Sequence, residues 1–376
     1  MNILFARRGY SPSGGAERYL ARLVKGLREK EINTTLLTDG AWPAEQWPGD
    51  RRIPLEAHSP TAFATAVEKE KSKHPDSLLF SFERIPCADV FRAGDGVHTA
   101  YLNRQAAEGN PLATWFRGIR RHHRETCALE EQLFTQNDHL HVICNSQMVA
   151  NELHTFFNFP KSRTTTIYNG FTPKPWDRHK QEAARNSVRQ RLGIPADAPV
   201  ILFVGSGWKR KGAGSLVTAF RQISSRDAHL VLVGKGRLKQ SLPPRVHLTG
   251  PVTAPRDYYL AADLFALPTL YDPFSNACLE AATYGLPVIT TDGNGFAEPI
   301  HNFPGSGEVI PNPRHPASWT KTLNQWLSNP PNPDALHPLV AAHTMNLNVT
   351  RTVELLTQLV AERITDISIG TATDPS

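Results

Sequence analysis

A chain of 376 residues suits about two domains, each able to bury its own core, which excludes a disulfide-stapled miniprotein. Hydrophobic residues make up 40 % and charged residues 20 %, with 7 Trp and 17 Phe, a balance that excludes a disordered chain. Lys and Arg number 41 against 35 Asp and Glu, and the resulting +6 suits nucleic acid, an anionic membrane surface or a phosphorylated ligand without choosing among them.

Cys87, Cys127, Cys144 and Cys278 form no C-x-x-C pair, so neither a zinc knuckle nor a disulfide framework is expected, and a reducing cytosol is the expected compartment. The opening MNILFARRGY holds too short an apolar run for a signal peptide, and no run approaches the ~18 apolar residues of a spanning helix. Membrane contact is therefore expected to be peripheral.

In chain order, the apolar run Ile3–Phe5 leads through the Gly-bearing SPSGGAER into Tyr19, Leu20, Leu23, Val24 and Leu27, the face of one helix. Strands are predicted over Thr34–Thr38, Ser77–Phe82 and His139–Cys144. Between the last two, Arg117, Arg121 and Arg124 fall at helical spacing. With Arg120, His122 and His123 among them and Trp115, Phe116 and Ile119 alongside, they predict a basic, aromatic-bearing helix. Such a helix can lie on anionic lipid, bind phosphate groups, or simply be solvated. His139 and His141 could pair on a metal, but on a strand they read as packing and surface.

Thr172 to Pro199 carries four prolines around a charged middle and reads as a linker. Beyond it the opening pattern returns. Ile201–Phe203 runs into GSGWKRKGAG and then the apolar stripe Leu216, Val217 and Phe220. Further strands are predicted over His229–Val233, Val246–Thr249, Leu264–Pro268 and Pro287–Thr291, and a last helix at Leu355, Leu356, Leu359 and Val360 precedes a small polar tail. The expected architecture is α/β, with two doubly wound parallel sheets. The expected domains are 1–172, a linker at 173–198, 199–345, and a disordered tail at 366–376.

The loop from Gly205 through Gly207 to Gly212 sets Lys209, Arg210 and Lys211 beside glycines at the end of a predicted strand, where α/β sheets bind ligands. Glycines let backbone N–H groups approach an anion, and the cations neutralise it, so a diphosphate fits; the alternative is a solvated basic turn. Ala213 and Gly214 stand where a P-loop needs Lys and Ser/Thr, and Arg210 replaces the third glycine of a dinucleotide fingerprint. Downstream, Asp272 in a loop and Glu280 on a helix can accept hydrogen bonds from sugar hydroxyls, or can be a helix cap and an exposed acid. The turns Gly234-Lys235-Gly236-Arg237 and Gly293–Glu298 gather at the same expected sheet edge.

The segments GGAER, CNS at Cys144, YNG at Tyr168, GSGWKRKG, LVGKGRL, AADLFALPTLYDPFSNACLEA and GLPVITT together resemble the retaining glycosyltransferases of family 4 over most of the chain. Within that family, SFERIPCADVFRAGDGVHTAYL and the overall length are most similar to the lipopolysaccharide core glucosyltransferase I group. The resemblance implies a GT-B fold of two facing Rossmann-like domains, with a helix near 346–365 crossing back to complete the first. It implies transfer of glucose from UDP-glucose to an inner-core heptose on a lipid A-core-type acceptor. The enzyme would be cytoplasmic and peripheral at the anionic inner membrane, with no nucleic-acid partner.

By position, the resemblance implies that Arg210 and Lys211 hold the donor diphosphate and Glu280, the second acid of an E-x7-E motif, the ribose. Asp272 stands where that motif usually starts with Glu, one methylene shorter in reach. Ser206 replaces a frequent Arg, leaving more phosphate charge to Lys211. Gly14, Gly15, Gly205, Gly207, Lys209, Gly234, Lys235, Gly236, Arg237, Pro273, Phe274, Ser275 and Asn276 complete the expected donor site. Asp95, or His98 nearby, would face the acceptor. Trp115, Phe116, Arg117, Arg120, Arg121 and Arg124 would touch membrane or acceptor. The sequence has no D-x-D pair, and metal-independent chemistry is the expectation.

Overall fold

The computed structural model describes residues 1–11, 15–40, 42–107, 121–173, 175, 177–253, 255–330 and 332–370. Among them, strands β1 (Asn2–Ala6), β2 (Asn33–Thr38), β3 (Arg51–Pro54), β4 (Leu78–Ser81), β5 (Val90–Ala93), β6 (His141–Cys144) and β7 (Thr164–Thr166) form one parallel sheet. Its order is β3-β2-β1-β4-β5-β6-β7. A second parallel sheet, β10-β9-β8-β11-β12-β13, contains β8 (Val200–Val204), β9 (His229–Val233), β10 (Val246–Gly250), β11 (Leu264–Ala266), β12 (Val288–Thr291) and β13 (Gly307–Ile310).

Both sheets start in the middle, step outward twice and then cross to the other side. Each reversal opens a crevice at the carboxyl ends of its central strands, β1/β4 in one and β8/β11 in the other. Every residue of β4, β6 and β9 is buried, as expected for parallel strands covered on both faces.

Helices α1 (Gly15–Arg28), α2 (Pro60–Lys71), α3 (His98–Ala107), α4 (Arg121–Thr135) and α5 (Gln147–Phe157) accompany the first sheet. The spacing that predicted α1 is its buried face: Leu20, Leu23, Val24 and Leu27 are fully excluded from solvent, at about 2 kcal/mol each. The second sheet carries α6 (Arg178–Leu192), α7 (Trp208–Lys211), α8 (Ala213–Phe220), α9 (Arg256–Ala261), α10 (Asn276–Thr283), α11 (Ala297–Asn302), α12 (Pro316–Ser328) and α13 (His337–Ala342).

The last helix, α14 (Met345–Gly370), returns to the first sheet, where Val349 and Leu356 join the core of Leu20, Leu23 and Phe80. Gly26 on α1 permits this contact, since a Cβ there would lie 2.7 Å from Val349 Cγ2. The hydroxyl of Tyr19 donates to Asn348 Oδ1 at 2.8 Å. The chain thus passes between domains twice, and the passages touch: Phe171 N–H donates to His343 O at 3.0 Å and Met345 N–H to Thr172 Oγ1 at 3.2 Å.

Two expectations about segments change. The linker stretch contains α6, whose Arg189 is buried and donates to Ala261, Pro195, Ala196 and Ala198 carbonyls and to Asp263, tying that helix to the second domain. The expected disordered tail starts at 366, whereas helix α14 continues through 366–370.

Candidate functional site

A cleft of about 520 Å³ separates the two sheet edges. Its lining includes Arg18, Arg92, Arg210 and Lys211, opposed by Asp95, Asp272 and Glu280, four cations against three carboxylates. That surplus suits a ligand with negative charge and hydroxyls.

On the second domain, β8 ends at Val204 and the loop enters α7 through Gly207 at φ +74, leaving through Gly212 at φ +75. Both values favour glycine. Gly234, at φ +125, faces the Gly205 carbonyl so closely that any Cβ would strike backbone. Trp208 is buried, donates its Nε1–H to Gly205 O at 2.9 Å, and covers Gly236. The helical turn so fixed projects Lys211, whose Nζ meets Asp272 Oδ2 at 2.8 Å. Arg210 donates to Tyr271 O at 2.6 Å and lies 4.0 Å from the same Asp272 oxygen. Asp272 is itself held by backbone, donating its N–H to Gly293 O and accepting at its carbonyl from Gly295 N.

Glu280, on α10, is 8 % exposed. Burial pushes its carboxyl above the usual carboxylate range, while Arg18 and Arg22 of α1 and the Tyr259 hydroxyl, 3.2 Å away, draw it back. Asn276 starts the same helix and accepts from Asn169 Nδ2 at 2.7 Å; Asn169 in turn accepts from the buried Arg92 at 2.5 Å. One hydrogen-bonded chain thus crosses the cleft floor from β5 to α10.

Gly205, Gly234, Phe274, Asn276, Glu280, Arg210, Lys211, Asp272 and Asp95 line the cleft together. Other expected donor residues stand behind it. Ser275 is buried and caps α10, its hydroxyl accepting from Cys278 N, worth about 1 kcal/mol. Pro273 is buried between the Gly96 and Gly295 backbones. Gly207 shapes its turn and donates to Lys235 O at 3.0 Å. Lys209, Lys235, Gly236 and Arg237 are exposed beside the cleft without lining it. Gly15 opens α1, and Gly14 lies outside the described residues.

The acceptor-side expectations separate. Asp95 is exposed at the turn after β5 and lines both the main cleft and a neighbouring cavity of about 270 Å³. His98 belongs to that second cavity, with Arg84, Glu83 and His122, and does not line the main cleft. Its Nε2 pairs with His123 Nδ1 at 2.9 Å, and burial, then Arg84 and the neighbouring histidines, push its pKa down to about 4. Of the expected basic helix, Arg124 is exposed on α4 and Arg121 starts it, while Trp115, Phe116, Arg117 and Arg120 lie outside the described residues.

Sequence reading missed Arg18, Arg92 and Tyr259. Arg18 carried a signal, since Arg18 and Arg22 sit one helical turn apart just after the glycine pair. Among the described residues no group of three or more His, Cys, Asp or Glu could hold a metal ion, and no helix is long and apolar enough to cross a membrane.

Known proteins share this architecture. The profile described as Glycosyltransferase Family 4 matches residues 13–174, and that for Glycosyl transferases group 1 matches 198–329. The uncharacterized glycosyltransferase MJ1607 of Methanocaldococcus jannaschii is 29 % identical over 199 residues, 49 % of this chain and 51 % of that protein. The lipopolysaccharide glucosyltransferase WaaG of Escherichia coli is 24 % identical over 356 residues, 88 % of this chain and 91 % of WaaG. The chain therefore spans about half of the first relative and nine-tenths of the second. The crystal structure of WaaG superposes at TM-score 0.70 and 21 % identity, covering 97 % of this chain and 99 % of WaaG. Anabaena HepE in complex with UDP and glucose does so at 0.71 and 18 %, covering 95 % and 100 %. Matched by those profiles on both halves and sharing that architecture from end to end, the chain belongs to the family 4 glycosyltransferases, enzymes of the GT-B fold.

Proposed function

We propose that the protein is a retaining glycosyltransferase that moves glucose from UDP-glucose to a heptose of a lipopolysaccharide inner core, working in the cytoplasm against the inner membrane face. The observation that carries the donor side is the Lys211–Asp272 pair with Arg210 beside it, at the crevice of the second sheet. Lys211 and Arg210 would take the diphosphate, Asp272 the hexose hydroxyls, and Glu280 the ribose. Residues 1–172 with α14 would form the acceptor half, and 199–345 the donor half.

In the reaction, the bond between the anomeric carbon and the diphosphate oxygen breaks while the acceptor oxygen bonds to that carbon on the same face. The acceptor proton passes to the departing phosphate oxygen. Charge grows on the leaving diphosphate, where Arg210 and Lys211 are already oriented by Tyr271 O and Asp272, and such preset donors are worth ~3 kcal/mol each. Asp95 would orient the acceptor hydroxyl. The cations supply the neutralisation without calling on a metal. Closure around the paired passages at 169–173 and 343–345 would exclude water.

HepE, the relative in complex with UDP and glucose, and WaaG, the lipopolysaccharide glucosyltransferase, favour this donor. The teichuronic-acid and inositol-phosphate glycosyltransferases among the other relatives keep a second reading alive, with another nucleotide sugar and a polysaccharide or glycolipid acceptor. For a lipid-borne acceptor, Arg121 and Arg124 of α4 with Trp115, Phe116, Arg117 and Arg120 before them would rest on anionic lipid, at ~1 kcal/mol per basic residue.

A panel of nucleotide sugars scored by thermal shift tests the donor reading, since a bound ligand raises the melting temperature by mass action. UDP-glucose should raise it most, and Lys211→Ala should abolish the rise. Absence of any rise, or an equal rise in Lys211→Ala, contradicts it.

A further inference from the structure

The residue next to Asp272 points out of its own domain. The ring of Tyr271 is 3 % exposed and belongs to the core beneath the first sheet, beside Val97, Ala100 and Leu133. Tyr101 lies 5.9 Å from it, ring centroid to centroid. Its hydroxyl donates to Glu152 Oε2 at 2.7 Å and accepts from Val97 N–H at 2.9 Å. Arg104 holds the other oxygen of Glu152 at 3.5 Å and lies 5.8 Å from the Tyr271 ring centroid. The socket is cut to shape: Gly96, at φ +71, has no room for a Cβ because the Tyr271 hydroxyl stands against it.

The backbone of the same residue belongs to the other domain's site. Its carbonyl accepts from Arg210, and Asp272, the next residue, holds Lys211. On the first-domain side, the socket is built on the Asp95-Gly96-Val97 turn, so the anchor and Asp95 share one loop. Withdrawing the ring would leave the Glu152 carboxylate and the Val97 N–H without this partner inside an apolar core, which favours a seated or unseated state over intermediate positions.

We propose that Tyr271 is a positioning residue: a peg from the donor domain whose seating in the first domain registers Asp272, Arg210 and Lys211 against Asp95. This rests on the donor reading of those three residues. The residues assigned to the nucleotide sugar lie almost all on the second domain, whereas transfer needs the seated peg. The peg therefore acts on turnover more than on donor affinity.

Tyr271→Phe keeps the ring and removes both hydrogen bonds, and Tyr271→Ala empties the socket. The test combines steady-state kinetics on UDP-glucose with small-angle X-ray scattering in the presence and absence of UDP. The expected result is a fall in kcat of about 10- to 100-fold, with the Kd for UDP within about threefold of the parent, because a misplacement of ~1 Å is enough for such a loss. In scattering, Tyr271→Ala should be more expanded than the parent with UDP bound, and Tyr271→Phe intermediate. Unchanged kcat in both variants overturns the proposal, as does a loss of kcat that only follows a loss of UDP affinity and melting temperature. If the parent turns over no nucleotide sugar, the donor reading fails, and scattering alone decides the peg: variants as compact as the parent overturn it.

Discussion

The chain builds the same crossing twice and equips the two copies differently. In the first domain, β1 passes through a glycine pair into α1, and the helix reaches the cleft through Arg18 in its first turns. In the second, β8 passes through a tight αL-bounded turn that delivers Arg210 and Lys211 onto Asp272. The common part is a strand that leads through glycines into a helix at the carboxyl edge of a parallel sheet, where the helix start favours an anion. The difference is where the paired cations stand: in the first copy Arg7 pairs with Glu17 and Glu83, and Arg8 with Asp39, outside the main cleft, whereas in the second Arg210 and Lys211 meet Asp272 on the cleft wall, beside glycines with no room for a side chain. A Rossmann-like crevice is therefore a place for a ligand, and the side chains grafted on it decide which half holds the donor.

The largest expected effect separates the two copies directly. Lys211→Ala should lower transfer by about 10²- to 10³-fold, the cost of removing one preset donor from a developing charge. Arg18→Ala, its counterpart in the first copy, should cost about tenfold. Equal losses would erase the distinction. Progress curves with saturating donor measure both.

Backbone strain should follow the same division. Gly234→Ala meets φ +125 and the Gly205 carbonyl, while Gly9→Ala meets φ +63 with nothing within 4 Å. We expect the first to lower the melting temperature by roughly 8 °C and the second by roughly 3 °C, from about 3 and 1 kcal/mol of strain. Calorimetric scans on both variants compare them.

Smaller effects sharpen the split between donor and acceptor. Glu280→Gln should weaken UDP binding about tenfold, as expected for one charge-assisted hydrogen bond. Asp95→Asn should leave UDP affinity within about twofold while slowing transfer. Titration calorimetry with UDP distinguishes the two, and a matching loss in Asp95→Asn would move that residue to the donor side.

The smallest effect concerns Glu152. Burial raises its carboxyl pKa to about 7, against the lowering influence of the Tyr271 hydroxyl and Arg104; Glu130 adds repulsion. Cys144 also faces it. A carboxyl whose pKa is higher folded than unfolded binds more protons in the folded state between those two values. Stability should therefore decline as pH rises from about 4.5 to about 7 and level off above. Glu152→Gln should flatten that decline in melting temperature; an unchanged profile assigns it to other groups.

Much of the proposed donor site was legible in the sequence because its groups lie on short contiguous segments, GSGWKRKG and LYDPFSNACLE, which the fold brings to one sheet edge. The missed strands lacked an apolar run to read. β3 is Arg51-Arg52-Ile53-Pro54 on a sheet edge, β5 buries Arg92 in its middle, β7 is three threonines, and β13 is a four-residue edge. Helix α6 was masked by its charge, since it docks through the buried Arg189 and its carbonyl partners rather than an apolar stripe. In the first domain, Arg18, Arg92 and Asp95 come from α1, β5 and the β5 turn, and the socket for Tyr271 comes from that turn, α3 and α5. Only tertiary packing assembles them. Ser275 and Pro273, which the family resemblance placed in the donor site, do not line the cleft: one caps a helix and the other packs between backbones.

Hydrogen–deuterium exchange with saturating UDP tests the assignment of the donor to the second crossing most directly. Protection should concentrate in peptides covering Gly205–Gly212, Gly234–Arg237 and Asp272–Glu280, with a weaker response around Arg18. Protection confined to the first domain, or equal in the two crossings, would contradict the assignment.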